Sequence, residues 1–269
     1  MSAGQDRTGR ERRISSRDNP FYKELLQLAE SSRERKRRQV TVIEGVHLCE
    51  AFLDRETEPL DTVVSESAIA HPQVRAMLER LPRLPVMLSD SLFRSISAVE
   101  HGVGIAMLID TPRPQLPERI DQDAVFLDRI QDPGNIGTIL RTCAAAGVRT
   151  VFTAPGTVWC WSPKVLRAGM GAHFHLEIHE SVSWQDIRQS IAVQTRATTL
   201  DASTAIWDLD LRSAGLWLFG QEGSGLDASL VDAADQRIFI PQDRSIESLN
   251  VGVAAALCLY EQLRQRRIR

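Results

Sequence analysis

The stretch Asp132-Pro133-Gly134-Asn135-Ile136-Gly137-Thr138-Ile139-Leu140-Arg141-Thr142 decides how the second half of this chain is read. It follows a β-rich run at 124–127 and leads into a helix expected over 136–146, so it reads as a strand-to-helix loop. Gly134 and Gly137 let the backbone approach a ligand or another segment closely, and Asn135 is a candidate helix cap. Arg141 follows six residues later, where its guanidinium can reach toward the loop's occupant. Further strands are expected near 150–153, 174–178, 197–200, 216–219 and 238–240. Helices fit at 163–170, 184–192 and 228–233, and a long one runs from 249 to about 264. Strands separated by helices predict a mostly parallel sheet covered on both faces, with ligands bound in loops beyond the carboxyl ends of its strands.

Two more loops share that edge. Leu218-Phe219-Gly220-Gln221-Glu222-Gly223-Ser224-Gly225-Leu226 has three glycines in six residues directly after an apolar strand, which suits a loop curling around a ligand. It lacks the Lys-Ser/Thr of a phosphate-binding P-loop and the spacing of a dinucleotide fingerprint. Its Glu222 would repel phosphate but suits a cationic or hydroxyl-bearing ligand. In the third loop Pro241 ends a strand, Ser248 is the expected cap of the last helix, and Asn250 falls in that helix's first turn, where it is a poor helix former.

Upstream, residues 1–13 read as a disordered tail, and Asn19-Pro20 opens a helix carrying Phe21, Leu25, Leu28 and Ala29. Strands at 40–43, 62–65, 85–88 and 103–109 alternate with helices at 45–53, 72–81 and 89–95, giving a compact α/β unit over 14–110. Thr111-Pro112-Arg113-Pro114-Gln115-Leu116-Pro117 has three prolines, so 111–122 reads as a linker and 123–269 as the second domain. Residues 1–40 hold 11 Lys/Arg and 6 Asp/Glu, a net of +5, while the other 229 carry 21 and 29, a net of −8. A basic head on an acidic body points to a polyanion-binding element, centred on Arg33, Arg35, Lys36, Arg37 and Arg38. The longest apolar stretch, 251–260, is about half of what a bilayer span requires, and no apolar core follows the Arg-rich start, so the protein is expected to stay where it is made. Four scattered cysteines with no CxxC pair argue against a zinc knuckle and a disulfide framework, and for the reducing cytoplasm. His173, His175 and His179 read as an alternating strand without carboxylates or thiolates nearby, so no metal is expected.

Taken in order, the three loops resemble the motifs of the SPOUT superfamily of RNA methyltransferases, and within it the SpoU or TrmH family of ribose 2′-O-methyltransferases. The matching residues are 135–142, 220–225, and 240–241 with 247–251; residues 162–172 are also similar to the helix the family carries between its first two motifs. Gly252 and Gln221 depart from the family's commonest residues, serine and Asn or Ser. The resemblance implies an α/β fold in which the C-terminal SPOUT domain has a parallel sheet and a deep trefoil knot. A small, ribosomal-protein-like α/β substrate-binding domain would precede it.

It implies further that S-adenosyl-L-methionine is held by Thr198, Leu218, Phe219, Gly220, Glu222, Gly223, Ile240, Pro241, Leu249 and Asn250. Arg141, Asn135, Glu222, Ser248 and Asn250 would carry methyl transfer to a ribose 2′-hydroxyl of rRNA or tRNA, and Arg141 would also touch RNA. Because an arginine's pKa lies above about 12, Arg141 is expected to clamp a phosphate and stabilise the alkoxide rather than act as base. Relatives are dimers through the knotted region, and the last helix, apolar around most of its circumference, suits such an interface. Two alternatives remain open at this point: a knotted RNA-binding protein without catalysis, and a same-fold enzyme that methylates a base.

Overall fold

The computed structural model describes residues 12–99, 102–243, 245 and 247–267. The chain divides into two compact units, one ending at Thr111 and including Trp161–Pro163, the other covering Pro112–Cys160 and the residues from Lys164 onward.

The first unit contains β1 (Arg12–Ile14), α1 (Pro20–Glu30), α2 (Ser32–Arg38), β2 (Val40–Glu44), α3 (Val46–Leu53), β3 (Asp61–Ser65), α4 (Pro72–Glu79), β4 (Val86–Leu88), α5 (Asp90–Ile96) and β5 (Ile105–Asp110). The sheet order is β1-β4-β3-β5-β2, with β5 antiparallel to both its neighbours. Helix α1 starts where Asn19-Pro20 predicts: the Asn19 side chain accepts from Phe21 N at 2.9 Å and Tyr22 N at 3.3 Å. It buries Tyr22, Leu25 and Leu28 against Val63, Val86, Leu88 and Phe93.

Two expectations change here. Of the expected tail, residues 1–11 lie outside the described residues, but Arg12 and Arg13 belong to β1, paired with Val86 and Met87 and ion-paired to Asp61 and Glu66. The basic run forms α2, and its cations do not act alike. Arg35 is buried, and its Nη1 donates to the Leu28 and Ala29 carbonyls, satisfying the last turn of α1. Arg37 pairs with Glu34, and Arg38 with Glu24 and Glu34, while Arg33 and Lys36 are exposed. Arg35 is therefore a structural residue and is withdrawn as an RNA contact.

The second unit contains β6 (Ala124–Asp128), α6 (Pro133–Ala146), β7 (Thr150–Thr153), α7 (Pro163–Gly169), β8 (Glu177–His179), α8 (Trp184–Ile187), β9 (Gln194–Thr198), β10 (Thr204–Ala205), β11 (Gly215–Gly220), α9 (Ala228–Ala233), β12 (Gln236–Phe239) and α10 (Val251–Arg267). Its seven strands are all parallel, in the order β10-β12-β9-β11-β6-β7-β8. Strand β6 is buried along its whole length, as a strand covered on both faces must be. One face carries Phe126, Leu216 and Leu218; on the other, Trp217 donates to Gln262 of α10 at 2.7 Å.

The expected strand at 174–178 is a 3-10 turn, Ala172–His175, followed by the short β8, because the Gly169-Met170-Gly171 segment turns through left-handed conformations at Met170 and Gly171. His173 and His175 therefore do not alternate on a strand. Helix α8 stops after one turn, since Ser190 O and Ala192 N pair with the backbone of Ile120. That pairing also buries Ile120, so the expected linker at 111–122 is tied to the second unit at Ile120, while Thr111 is bonded to Thr41 in the first. Among the described residues no helix is long and apolar enough to cross a membrane.

Candidate functional site

The strand order of the second unit reverses between β11 and β6: β7 and β8 follow β6 to one side, and β11, β9, β12 and β10 lie to the other. In parallel sheets the crevice beyond the carboxyl ends at such a point is where ligands bind. The register sets Gly220 beside Asp128, so the glycine loop leaves β11 next to the loop that leads into α6.

Helix α6 begins earlier than expected. Asp132 is its cap, accepting from Asn135 N at 2.8 Å, and Pro133 takes the first helical position. Asn135 is thus not a cap, and its side chain is free for other work. Asn250 is the residue that caps α10: its Oδ1 accepts from Gly252 N at 2.9 Å and Val253 N at 3.3 Å. With that oxygen committed, the Asn250 amide donates to Asn135 Oδ1 at 2.8 Å, and Asn135 Nδ2 donates to Glu222 Oε1. One hydrogen-bonded chain joins all three loops and fixes the orientation of both amides. Gly252 is small for a reason, since a Cβ there would lie 3.1 to 3.4 Å from Asn250 Oδ1 and Thr138 of α6.

The other predicted residues are distributed differently. Ser248 is exposed and caps nothing, because the helix starts at Val251. Arg141 is exposed on α6 and, among the described residues, has no hydrogen bond or ion pair to the Asn135–Glu222–Asn250 chain. Leu218 and Phe219 are core side chains, so only their backbones can face a ligand; the Leu218 carbonyl accepts from Thr198 Oγ1 at 3.1 Å. At Gly220 a Cβ would collide with Gly225 and Leu226 N, because the loop folds back on itself through Gly225 N to Gln221 O at 2.9 Å and Gln221 Nε2 to Ser224 Oγ. Glycine is needed at 220 to close the loop, whereas a Cβ at Gly223 would meet open space.

Residues 123–260 match the family described as "SpoU rRNA Methylase family". The chain belongs to the SpoU rRNA methylase family. It is 30% identical to an uncharacterized tRNA/rRNA methyltransferase of Synechocystis sp., covering 94% of each chain. It is 28% identical to the 23S rRNA (guanosine(2553)-2'-O)-methyltransferase RlmP of Bacillus subtilis, covering 93% of this chain and 98% of that one. Among solved structures, an RNA 2'-O ribose methyltransferase superposes with a TM-score of 0.79 at 31% identity, over 94% of this chain and 99% of that one. An AdoMet-bound rRNA methyltransferase from Sinorhizobium meliloti superposes with a TM-score of 0.83 at 25% identity, over 96% of this chain and 98% of the other.

The SpoU family's methyl donor is S-adenosylmethionine, and the residues present fit it. Ile238 pairs with Thr198 and Ala197 with Leu218, so the ends of β12, β9 and β11 stand side by side and lead into Ile240, Thr199 and Gly220. Thr198 and Ile240 are half-buried at these strand ends, where the glycine loop leaves β11, and adenosine requires an apolar setting of this kind with a few backbone donors and acceptors. In the loop that follows β12, Pro241 is exposed and Leu249 half-buried. Among the described residues no group of His, Cys, Asp or Glu is arranged to hold a metal ion.

Sequence reasoning missed Asp132 as the cap of α6, although Asp132-Pro133 carries the signature already used at Asn19-Pro20. It also missed Asp128, whose carboxylate is buried at the end of β6; a charged residue closing an apolar strand was the available signal.

Proposed function

We propose that this protein transfers the methyl group of S-adenosylmethionine to a ribose 2′-hydroxyl of ribosomal or transfer RNA, and that 123–269 is a SPOUT domain with a deep trefoil knot. The observation that carries the reading is the chain Asn250–Asn135–Glu222, which ties the three loops into one polar platform. When bound, S-adenosylmethionine supplies an electrophilic methyl on a positively charged sulfur. Thr198, Ile240, Leu249 and the Gly220–Gly223 backbone would hold it. Glu222 Oε1 is engaged by Asn135, which leaves Oε2 to accept from the ribose hydroxyl or from Arg141. Arg141, always charged, would clamp the neighbouring phosphate and stabilise the alkoxide. Ser248, at the exposed loop before the helix, would orient the ribose.

The expected domain at 14–110, which β1 extends to Arg12, would be the RNA-binding domain, with exposed Arg33 and Lys36 as its phosphate contacts, supported by Arg37 and Arg38. Helix α10 has two apolar faces: Ala255, Cys258 and Leu259 are buried, while Val253, Leu257 and Tyr260, at helical spacing, are exposed. That second face supports a homodimer. We place the protein in the cytoplasm, a reducing compartment in keeping with its four scattered, buried cysteines.

The test is transfer of labelled methyl to unmodified rRNA and tRNA transcripts, followed by alkaline hydrolysis, which a 2′-O-methyl blocks. Label on a base would favour base methylation, and RNA binding without label would mean a non-catalytic binder. Light scattering of the wild type and of Leu257→Lys/Tyr260→Lys should give a dimer and a monomer.

A further inference from the structure

Arg129 follows β6 at φ 55°, a left-handed conformation that side chains other than glycine's rarely adopt. This turn folds the guanidinium back onto its own neighbour. Nε donates to Asp128 Oδ1 and Nη2 to Asp128 Oδ2, each at 2.9 Å. Asp128 is buried, and its Oδ2 also accepts from Asp227 N at 2.9 Å, so the carboxylate is anchored to the start of α9 as well. Asp227 Oδ2 lies 3.6 Å from Nη2, and a Cβ at Gly156, after β7, would rest 3.6 Å from Arg129 Cγ.

A guanidinium has two edges that can grip an oxyanion with paired N–H groups. Here the Nε/Nη2 edge is fixed on Asp128, and the side chain is 38% exposed. Among the described residues Nη1 has no hydrogen bond. The Nη1/Nη2 edge is therefore held in a fixed orientation at the carboxyl end of β6, where the glycine loop leaves β11, with Nη1 unengaged and the Asp227 carboxylate flanking Nη2. A glycine would make the same turn without strain, so the arginine's side chain, rather than its backbone, is the reason for this residue.

We propose that the Nη1/Nη2 edge of Arg129 binds an oxyanion of the reactants, a phosphate of the RNA or the carboxylate of the methyl donor, with Asp128 as the positioning residue that aims it. This rests on the methyltransferase reading above.

Arg129→Gly, Arg129→Lys and Asp128→Asn in the full chain test it, since the glycine variant relieves the turn and should fold. Filter binding to unmodified transcribed 23S rRNA and calorimetry with S-adenosylmethionine are measured separately. Arg129→Gly should weaken one of the two by roughly tenfold or more. Loss of RNA affinity alone assigns the phosphate, and loss of donor affinity alone assigns the carboxylate. Arg129→Lys should restore little, because a point charge is not a fork. Asp128→Asn should raise the KM of the same reactant while kcat at saturation holds, which a purely structural residue would not do. A wild type active in transfer whose Arg129→Gly variant binds both reactants normally would overturn the proposal. A wild type inactive with every RNA would instead overturn the functional reading.

Discussion

Acid should destabilise the second unit through one residue, His173. Its ring is 1% exposed, with Nε2 2.9 Å from the Cys160 carbonyl and Cε1 so close to Gly169 that a Cβ there would lie 2.6 Å away. Burial lowers its pKa from 6.5 to about 4. The folded protein thus keeps His173 neutral, while the unfolded chain takes up the proton below 6.5. Stability from this residue is fully present above 6.5, is lost as the pH falls toward 4, and declines no further below that. At about 1.4 kcal/mol per pH unit the loss is about 3 kcal/mol. His173→Gln removes the titration while keeping an amide that can donate to Cys160 O. Urea unfolding from about pH 7 to about pH 4 should show the wild type losing about 3 kcal/mol more than the variant over that interval, whatever their starting stabilities. Parallel stability curves would refute the argument. Because Gly169 lies on α7, which packs against Gly137 of α6, methyl transfer by the wild type should fail over the same range.

Asn250→Ala should lose the cap of α10, about 1 kcal/mol, together with the donor that orients Asn135; Asn250→Asp should recover the stability in denaturant titrations but not the single-turnover transfer rate. Gly137→Ala should cost about 1 to 3 kcal/mol, because the new Cβ would meet the Ala168 side chain and lie 2.9 Å from the backbone of Ala168 and Gly169; an unchanged urea midpoint would contradict the close crossing of α6 and α7. Arg35→Ser should destabilise the first unit by about 1 to 3 kcal/mol by orphaning the Leu28 and Ala29 carbonyls. Arg33→Ser should leave stability within about 0.5 kcal/mol and flatten the salt dependence of RNA binding.

The elements that the sequence announced were those with local causes. Asn19-Pro20 carries its own cap, the apolar run at 216–219 can only be a buried strand, and three glycines in six residues mark a loop. What stayed hidden depended on partners far along the chain. Asn250 looks misplaced in a helix until its Oδ1 is seen to start that helix and its amide to reach Asn135. Arg35 is indistinguishable from its cationic neighbours in sequence, and only the return of α2 against the end of α1 buries it. Residues 174–178 read as one strand, yet a 3-10 turn covers 172–175 and the strand is only 177–179, because alternation of aromatic and polar residues is shared by turn and strand when the segment is short.

The bond from Asn250 to Asn135 spans 115 residues and that from Asn135 to Glu222 spans 87, while β11 must enter the sheet between β9 and β6. Contacts this remote close late, since each requires a long stretch of chain to be ordered first. A nascent chain still short of residue 250 can lay down β6 through β8, and even most of the sheet, without holding a finished site. The site's completion thus waits on the segment that starts α10, because only Asn250 brings the third loop to the other two.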